Sequence, residues 1–437
     1  MKKEIENASW IILCRIVQAI LALIISMITA RYLGPSNFGL LNYAISVVAF
    51  VLPVMRLGLT SILVQEFIAE PDKEGETLGT SIIISMISAI VCIIGVNLFV
   101  FITNAEEMDT LIVCALYSSV LVFQVFEVFN YWFQSKLQAK YSSIIALIAY
   151  GIVSFYKVYL LITKKSIYWF SVANTLDYLI IAIGLYIIYR NKCGQKLTYN
   201  GKRARRLLSI SKYYIISDLM VVVFAQTDRV MLKSMIDNSA TGYYSAAVTC
   251  ASMTQFIFAA IIDSMRPTIF EGKRVSEDVY KQNLTRLFSI ITYLSLIQSI
   301  LMTILAPIII RILYGVDYSA SVSALQIVVW YTTFSYLGSA RNIWILAEGK
   351  QKYLWQINLF GALANVFLNA ILIPIVGVNG AALASLVTQF LTNVVTGFIF
   401  KPIRGVNEIL VRGFNPRLFL ETFSIVIRSI NGRHSNE

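Results

Sequence analysis

One histidine, His434, is all that the 437 residues contain, and it stands far from any apolar segment. A Ser–His pair or a histidine-bound metal at a central site is therefore not expected. Cysteine is scarce too. Cys14, Cys92, Cys114 and Cys250 fall inside apolar segments, Cys193 falls in a basic loop, and no Cys-x-x-Cys occurs. Thiols placed singly in that way pack as small hydrophobes rather than form a disulfide framework. No Asp-x-Asp donor motif is present, and charged residues are only 14% of the chain. With 57% hydrophobic residues, a soluble protein of this size could not cover its apolar surface. Met1, Lys2 and Lys3 form a basic start, but the apolar run that follows is too long for a cleavable signal peptide.

Long apolar runs are abundant. Segments such as 8–30, 78–102 and 357–376 each exceed the roughly 20 residues a helix needs to cross a bilayer. About twelve spans are expected, at 8–32, 37–60, 78–103, 109–134, 141–163, 166–190, 207–232, 242–266, 284–314, 321–347, 353–375 and 379–400. The fold class is thus all-α integral membrane. Of the 36 Lys and Arg residues, 26 fall in the connections and tails on one side and 5 on the other. The positive-inside rule then puts both termini in the cytoplasm. The +12 net charge is mostly loop charge facing anionic headgroups, and no nucleic-acid partner is implied.

The longest basic loop, about 190–212, holds Lys202, Arg203, Arg205 and Arg206 and divides the chain into two halves of six spans. The expected organisation is a bundle over 1–200, a bundle over 207–400, and a cytoplasmic amphipathic tail over 401–437. In the tail, Arg417, Glu421, Ser424 and Arg428 alternate with Leu418, Phe419, Phe423, Val426 and Ile430, as in a helix lying in the interface. The segment 62–70 is expected to behave likewise. Both halves open alike: Phe38-Gly39-Leu40-Leu41-Asn42-Tyr43-Ala44 matches Thr241-Gly242-Tyr243-Tyr244-Ser245-Ala246-Ala247. Such a match would make the bundles pseudo-symmetric about an axis along the membrane normal.

Polar spacing inside the spans carries the chemistry. Arg15, Gln18, Ser26 and Thr29 share one helical face, as do Asn42, Ser46, Pro53, Arg56 and Thr60. Pro53 should kink its helix. Asp218 and Arg229 lie three turns apart, and Asn358, Asn365 and Asn369 line one side of the eleventh span. A charge within a bilayer costs at least about 2.5–3.5 kcal/mol, so Arg15, Arg56, Arg229 and Arg341 point to a cationic path for an anionic substrate. Two plainer readings stand beside this one. Arginines near helix ends can snorkel to headgroups, and Asn, Ser and Thr can simply join helices. The acidic residues Glu127, Asp177 and Asp218 fit either proton or sodium coupling or pairing with neighbouring cations. No other cofactor is expected.

Five stretches resemble one known family. Ala30-Arg31-Tyr32-Leu33-Gly34-Pro35-Ser36-Asn37-Phe38-Gly39-Leu40 is similar to the first-loop signature of bacterial polysaccharide repeat-unit flippases. Thr227-Asp228-Arg229-Val230-Met231-Leu232 with the 241–247 motif resembles the start of their second half. Ile312-Leu313-Tyr314-Gly315 and 377–385 resemble their ninth and twelfth helices. These flippases belong to the multidrug/oligosaccharidyl-lipid/polysaccharide exporter superfamily. The resemblance implies a MATE-like fold of two six-helix bundles around a central cavity. It implies no enzyme activity but the flipping of an undecaprenyl-diphosphate-linked oligosaccharide across the bacterial inner membrane. The polymer served would be lipopolysaccharide O-antigen, capsule or exopolysaccharide, with polymerase or assembly proteins as further partners. Guanidinium forks suit the diphosphate, while Gln18, Asn42 and other polar faces would replace water around the sugar.

Three alternatives remain open at this point. A multidrug or metabolite exporter of the same superfamily would favour an acidic, aromatic cavity. A membrane polysaccharide polymerase commonly needs a large outer loop, and the outer connections here are short. A structural scaffold would leave the arginines without purpose.

Overall fold

The computed structural model describes the backbone of residues 2–193 and 195–421, and the side chains of Cys14, 16–192 and 195–421. Described residues are helical or in short connections, with no strand among them. Among the described residues, ten helical stretches are long and apolar enough to cross a membrane. Their large hydrophobic side chains face outward in stripes. In Glu74–Thr103 the residues Ile87, Val91, Ile94, Leu98 and Ile102, spaced four or three apart, are all more than half exposed. That much bare apolar surface suits hydrocarbon and not water. The protein is a multi-pass membrane protein.

Local sequence explains where the helices break. Lys2–Met55 runs through a single non-helical residue, Gly34, with φ 70° and ψ 171°. Only glycine enters that region cheaply, and Pro35 then starts the next helix with its φ already set. Pro53 does not merely kink the second span. That helix ends at Met55, short of the expected residue 60, and Leu57 and Gly58 turn the chain with positive φ. Met108–Ser135 is also uneven, because a 3₁₀ turn at Val125–Glu127 interrupts it. Beyond the ten stretches, Ser321–Ala347 forms a further 27-residue helix at the place expected for the tenth span.

By internal packing the chain falls into two units, one ending at Gly242 and one starting at Tyr243. This boundary lies one helix beyond the basic loop, because that loop is bound to the first unit. Gln195 Oε1 accepts from Gly75 N at 2.6 Å, Thr198 N donates to Gly75 O, and Asn200 N donates to Thr80 Oγ1. A Cβ on Gly75 or Gly79 would stand 2.3 or 2.5 Å from the carbonyl oxygens of Lys196 and Thr198, so both must stay glycine. Gly201–Met235 then packs along Lys2–Met55.

Within the first unit, Leu63–Ala69 buries Leu63 and Phe67 with Phe129, Trp132, Phe133 and Tyr189. The second unit has its own core, in which Phe258 stacks on Tyr336 and Trp344 packs with Leu287, Phe288 and Leu410. The short helix Gly405–Gly413 covers that core from Glu277–Leu313. Of the expected tail stripe, Arg417, Leu418, Phe419 and Glu421 are described, while Phe423, Ser424, Val426, Arg428 and Ile430 lie outside the described residues.

Candidate functional site

The first unit contains a cavity of about 510 Å³. Gln18, Arg56, Glu127, Asn130, Tyr131, Gln134, Ser142 and Ser143 line it together with Cys14, Ala139 and Ala146, so about half of its wall is polar. Arg56 is placed there by the early end of its helix after Pro53, and Glu127 by the 3₁₀ turn. Short 3₁₀ stretches inside a long helix often mark functional hinges. Arg56 Nη2 donates to Glu127 Oε2 at 2.6 Å, with the two side chains 37% and 22% exposed. Arg56 Nε is buried with no acceptor among the described residues. Asp218, half-buried on Gly201–Met235, lies within Coulombic range of the same guanidinium. One cation therefore faces two acids from different elements. An anion entering the cavity would compete with Glu127 for the Arg56 fork.

The other expected site residues are elsewhere. Asn42 Nδ2 donates to Phe38 O at 2.8 Å within its own helix, and Asn42 is not among the residues lining the Arg56 cavity. Ser46 Oγ and Arg229 Nη1 both reach Gln226 Oε1, at 3.0 and 2.9 Å, which joins the second and seventh spans away from the Arg56 cavity. Arg341 belongs to the second unit and is 4% exposed. Its Nη1 donates to Thr392 O at 2.6 Å, in a π turn at Leu391–Val395, and its Nε has no acceptor. Asp177 sits among Lys157, Asn174 and Tyr150 rather than in the cavity wall. The side chain of Arg15 lies outside the described residues. Asn365 and Asn369 are buried and bonded to each other at 3.1 Å, as residues that tie a helix into its unit. Asn130, Tyr131, Gln134, Ser142 and Ser143 carry only a weak signal in sequence. Asn130 and Gln134 are four apart on one helical face, but they sit beside the aromatic run Tyr131–Trp132–Phe133.

At the two ends of the first unit, charges of the helix ends and connections are paired with one another. Arg203, 7% exposed, donates to Glu70, Glu76 and Thr77, and Arg206 donates to Glu66 and Glu70. The bonds from Arg206 and Arg203 hold the Glu70 carboxyl down at about 2. Glu74 takes a bond from Trp132 Nε1 at 2.8 Å and an ion pair from Lys136. At the other end, the buried Lys233 donates to both oxygens of Glu107, at 2.7 and 2.5 Å. Burial works to raise the Glu107 carboxyl, but the bonds from Lys233 and Thr110 outweigh it and hold it low. Among the described residues no group of acids, cysteines and histidines could hold a metal ion.

The architecture matches that of known transporters. A solved structure of the lipid II flippase MurJ in an inward closed conformation superposes with TM-score 0.73 at 16% identity, covering 94% of this chain and 92% of that one. A multidrug resistance MATE family transporter of the MOP superfamily, inward-facing, gives TM-score 0.66 at 12% identity, over 89% and 94%. The fold is therefore that of flippases and multidrug transporters. The family model for polysaccharide biosynthesis protein matches residues 5–273, and the chain belongs to that family. The capsular polysaccharide biosynthesis protein CapF of Staphylococcus aureus is 20% identical over 407 residues, 91% of this chain and all of CapF.

Proposed function

We propose that this protein flips an undecaprenyl-diphosphate-linked oligosaccharide from the cytoplasmic to the outer leaflet of a bacterial inner membrane, by alternating access. The repeat units would serve O-antigen, capsule or exopolysaccharide. Twelve crossings follow if the first stretch is split at Gly34 and Ser321–Ala347 is counted, which returns both termini to the cytoplasm. The observation that carries the reading is the polar cavity with Arg56 at its wall in a member of a polysaccharide biosynthesis family. Arg56 can exchange Glu127 for a diphosphate oxygen, and guanidinium keeps its charge at any physiological pH. The hydroxyls and amides of Asn130, Gln134, Ser142 and Ser143 can replace water on the sugar, while the polyprenyl tail stays in lipid. Arg15, Arg229 and Arg341 are proposed as further cations on the path, and Gln18 and Asn42 as polar lining.

The test is complementation of a bacterium lacking its own repeat-unit flippase and supplied with a matched lipid-linked substrate. Restored surface polymer with depleted lipid-linked units supports the assignment. Continued accumulation at normal expression would overturn it. The likeness to a multidrug transporter favours a small-molecule exporter as second reading. That reading gains if complementation fails and drug resistance rises.

A further inference from the structure

We propose that Asp177 is a proton-binding site inside the membrane, with Lys157 as its fixed counter-charge, through which a pH gradient drives transport. This rests on the transporter reading above. Asp177 lies ten residues beyond Ile167 in a 27-residue helix. At 1.5 Å per residue that is about 15 Å from the helix start, near the middle of a roughly 30 Å hydrocarbon layer. Charged side chains at that depth are rare and mark ion or proton paths.

The surroundings leave the carboxyl poised between two states. Lys157, from Ala139–Ile162, exerts a Coulombic pull on it, but no direct ion pair joins the two side chains among the described residues. Lys157 Nζ instead donates to Asn174 Oδ1 at 3.4 Å, and Asn174 Nδ2 donates to Tyr117 OH at 3.1 Å. Asp177 Oδ1 is buried with no donor among the described residues. The ionised form gains from Lys157, and the neutral form is spared an uncompensated buried charge. Another titratable group facing it is Tyr150, from the Lys157 helix. A metal cation fits poorly, because the ammonium already supplies positive charge and has taken the Asn174 oxygen. A proton fits. Hydronium gives its proton to the carboxylate, an O–H bond forms, and water is left; release reverses the step. Lys157 stays an ammonium throughout.

Two arms test this. Infrared difference spectra of the full chain in lipid nanodiscs need no substrate. The other carboxyls of the chain also titrate, so the signal is a component of the protonated-carboxyl band that wild type and Glu127→Gln share and Asp177→Asn lacks. A titration of the band that is the same in Asp177→Asn as in wild type overturns the proposal. In proteoliposomes with lipid-linked oligosaccharide, an imposed pH gradient should accelerate wild-type flipping several-fold and a sodium gradient should not. The ratio with and without the pH gradient should fall to one in Asp177→Asn and persist, with a shifted pH midpoint, in Asp177→Glu. Acceleration by sodium alone, or an unchanged ratio in Asp177→Asn, overturns it. Absence of flipping in every variant, with the infrared result intact, removes the substrate reading and leaves the proton site standing.

Discussion

At the scale of residues, Arg56 is both the best candidate contact and a partner in an ion pair, and the two roles make separable predictions. Arg56→Ala should reduce polymer export at least about tenfold, the equivalent of roughly 1.4 kcal/mol of lost interaction with the diphosphate. Arg56→Lys keeps the charge but loses the fork, so it should retain an intermediate rate. Glu127→Gln should leave the protein folded, because the amide oxygen still accepts from Arg56. Assays of surface polymer at matched membrane levels check this series; wild-type export by Arg56→Ala would remove Arg56 from the site. Glu70 predicts in a different currency. Its carboxyl is held at about 2, below its unfolded range, by Arg206 and Arg203. The stability it contributes is then full above the ordinary carboxylate range and is lost as pH falls toward about 2. Thermal unfolding in detergent from pH 7 to pH 3 should show a decline that is shallower in Glu70→Gln. Equal slopes would mean that the Glu70 bonds add nothing to the fold.

At the scale of elements, the spans were legible in sequence because a bilayer demands about 20 apolar residues each, and no partner is needed to see that. A helix at Ser321–Ala347 matches the expected bounds, although it is not among the ten stretches apolar enough by themselves to cross a membrane. The pairings were not legible. Arg56 meets Glu127 across 71 positions and Arg203 meets Glu76 across 127, and nothing local announces either. The basic loop read as a linker from its charge, yet Gly75 and Gly79 let it lie against the helix they open. Two glycines of the repeated opening motif show how such a constraint can be tested. A Cβ on Gly39 would stand 1.7 Å from Asn238 O, and one on Gly242 would stand 2.1 Å from Pro35 O. Both obstacles are backbone, so neither can swing aside. Gly39→Ala and Gly242→Ala should each cost about 1–3 kcal/mol through forced separation of the helices. A lower melting temperature of the purified variants is the expected result, and unchanged melting would show that the helices separate freely there.

At the scale of the whole molecule, orientation follows from charge and is open to a direct measurement. The Arg203 and Arg206 network gathers at one end of the first unit, where Lys and Arg are concentrated in sequence. The Lys233–Glu107 pair lies between the other ends of the same helices. If the positive-inside rule holds, Lys202 faces the cytoplasm and Glu106 the outside, and both side chains are exposed. In a background with all five cysteines replaced, Glu106→Cys should react with a membrane-impermeant maleimide in intact cells. Lys202→Cys should react only after the membrane is opened. The direction of transport depends on the outcome, since a substrate built on cytoplasmic lipid must meet the end that carries Lys202. Reversed labelling would invert the chain in the membrane and, with it, the proposed path from cytoplasmic to outer leaflet.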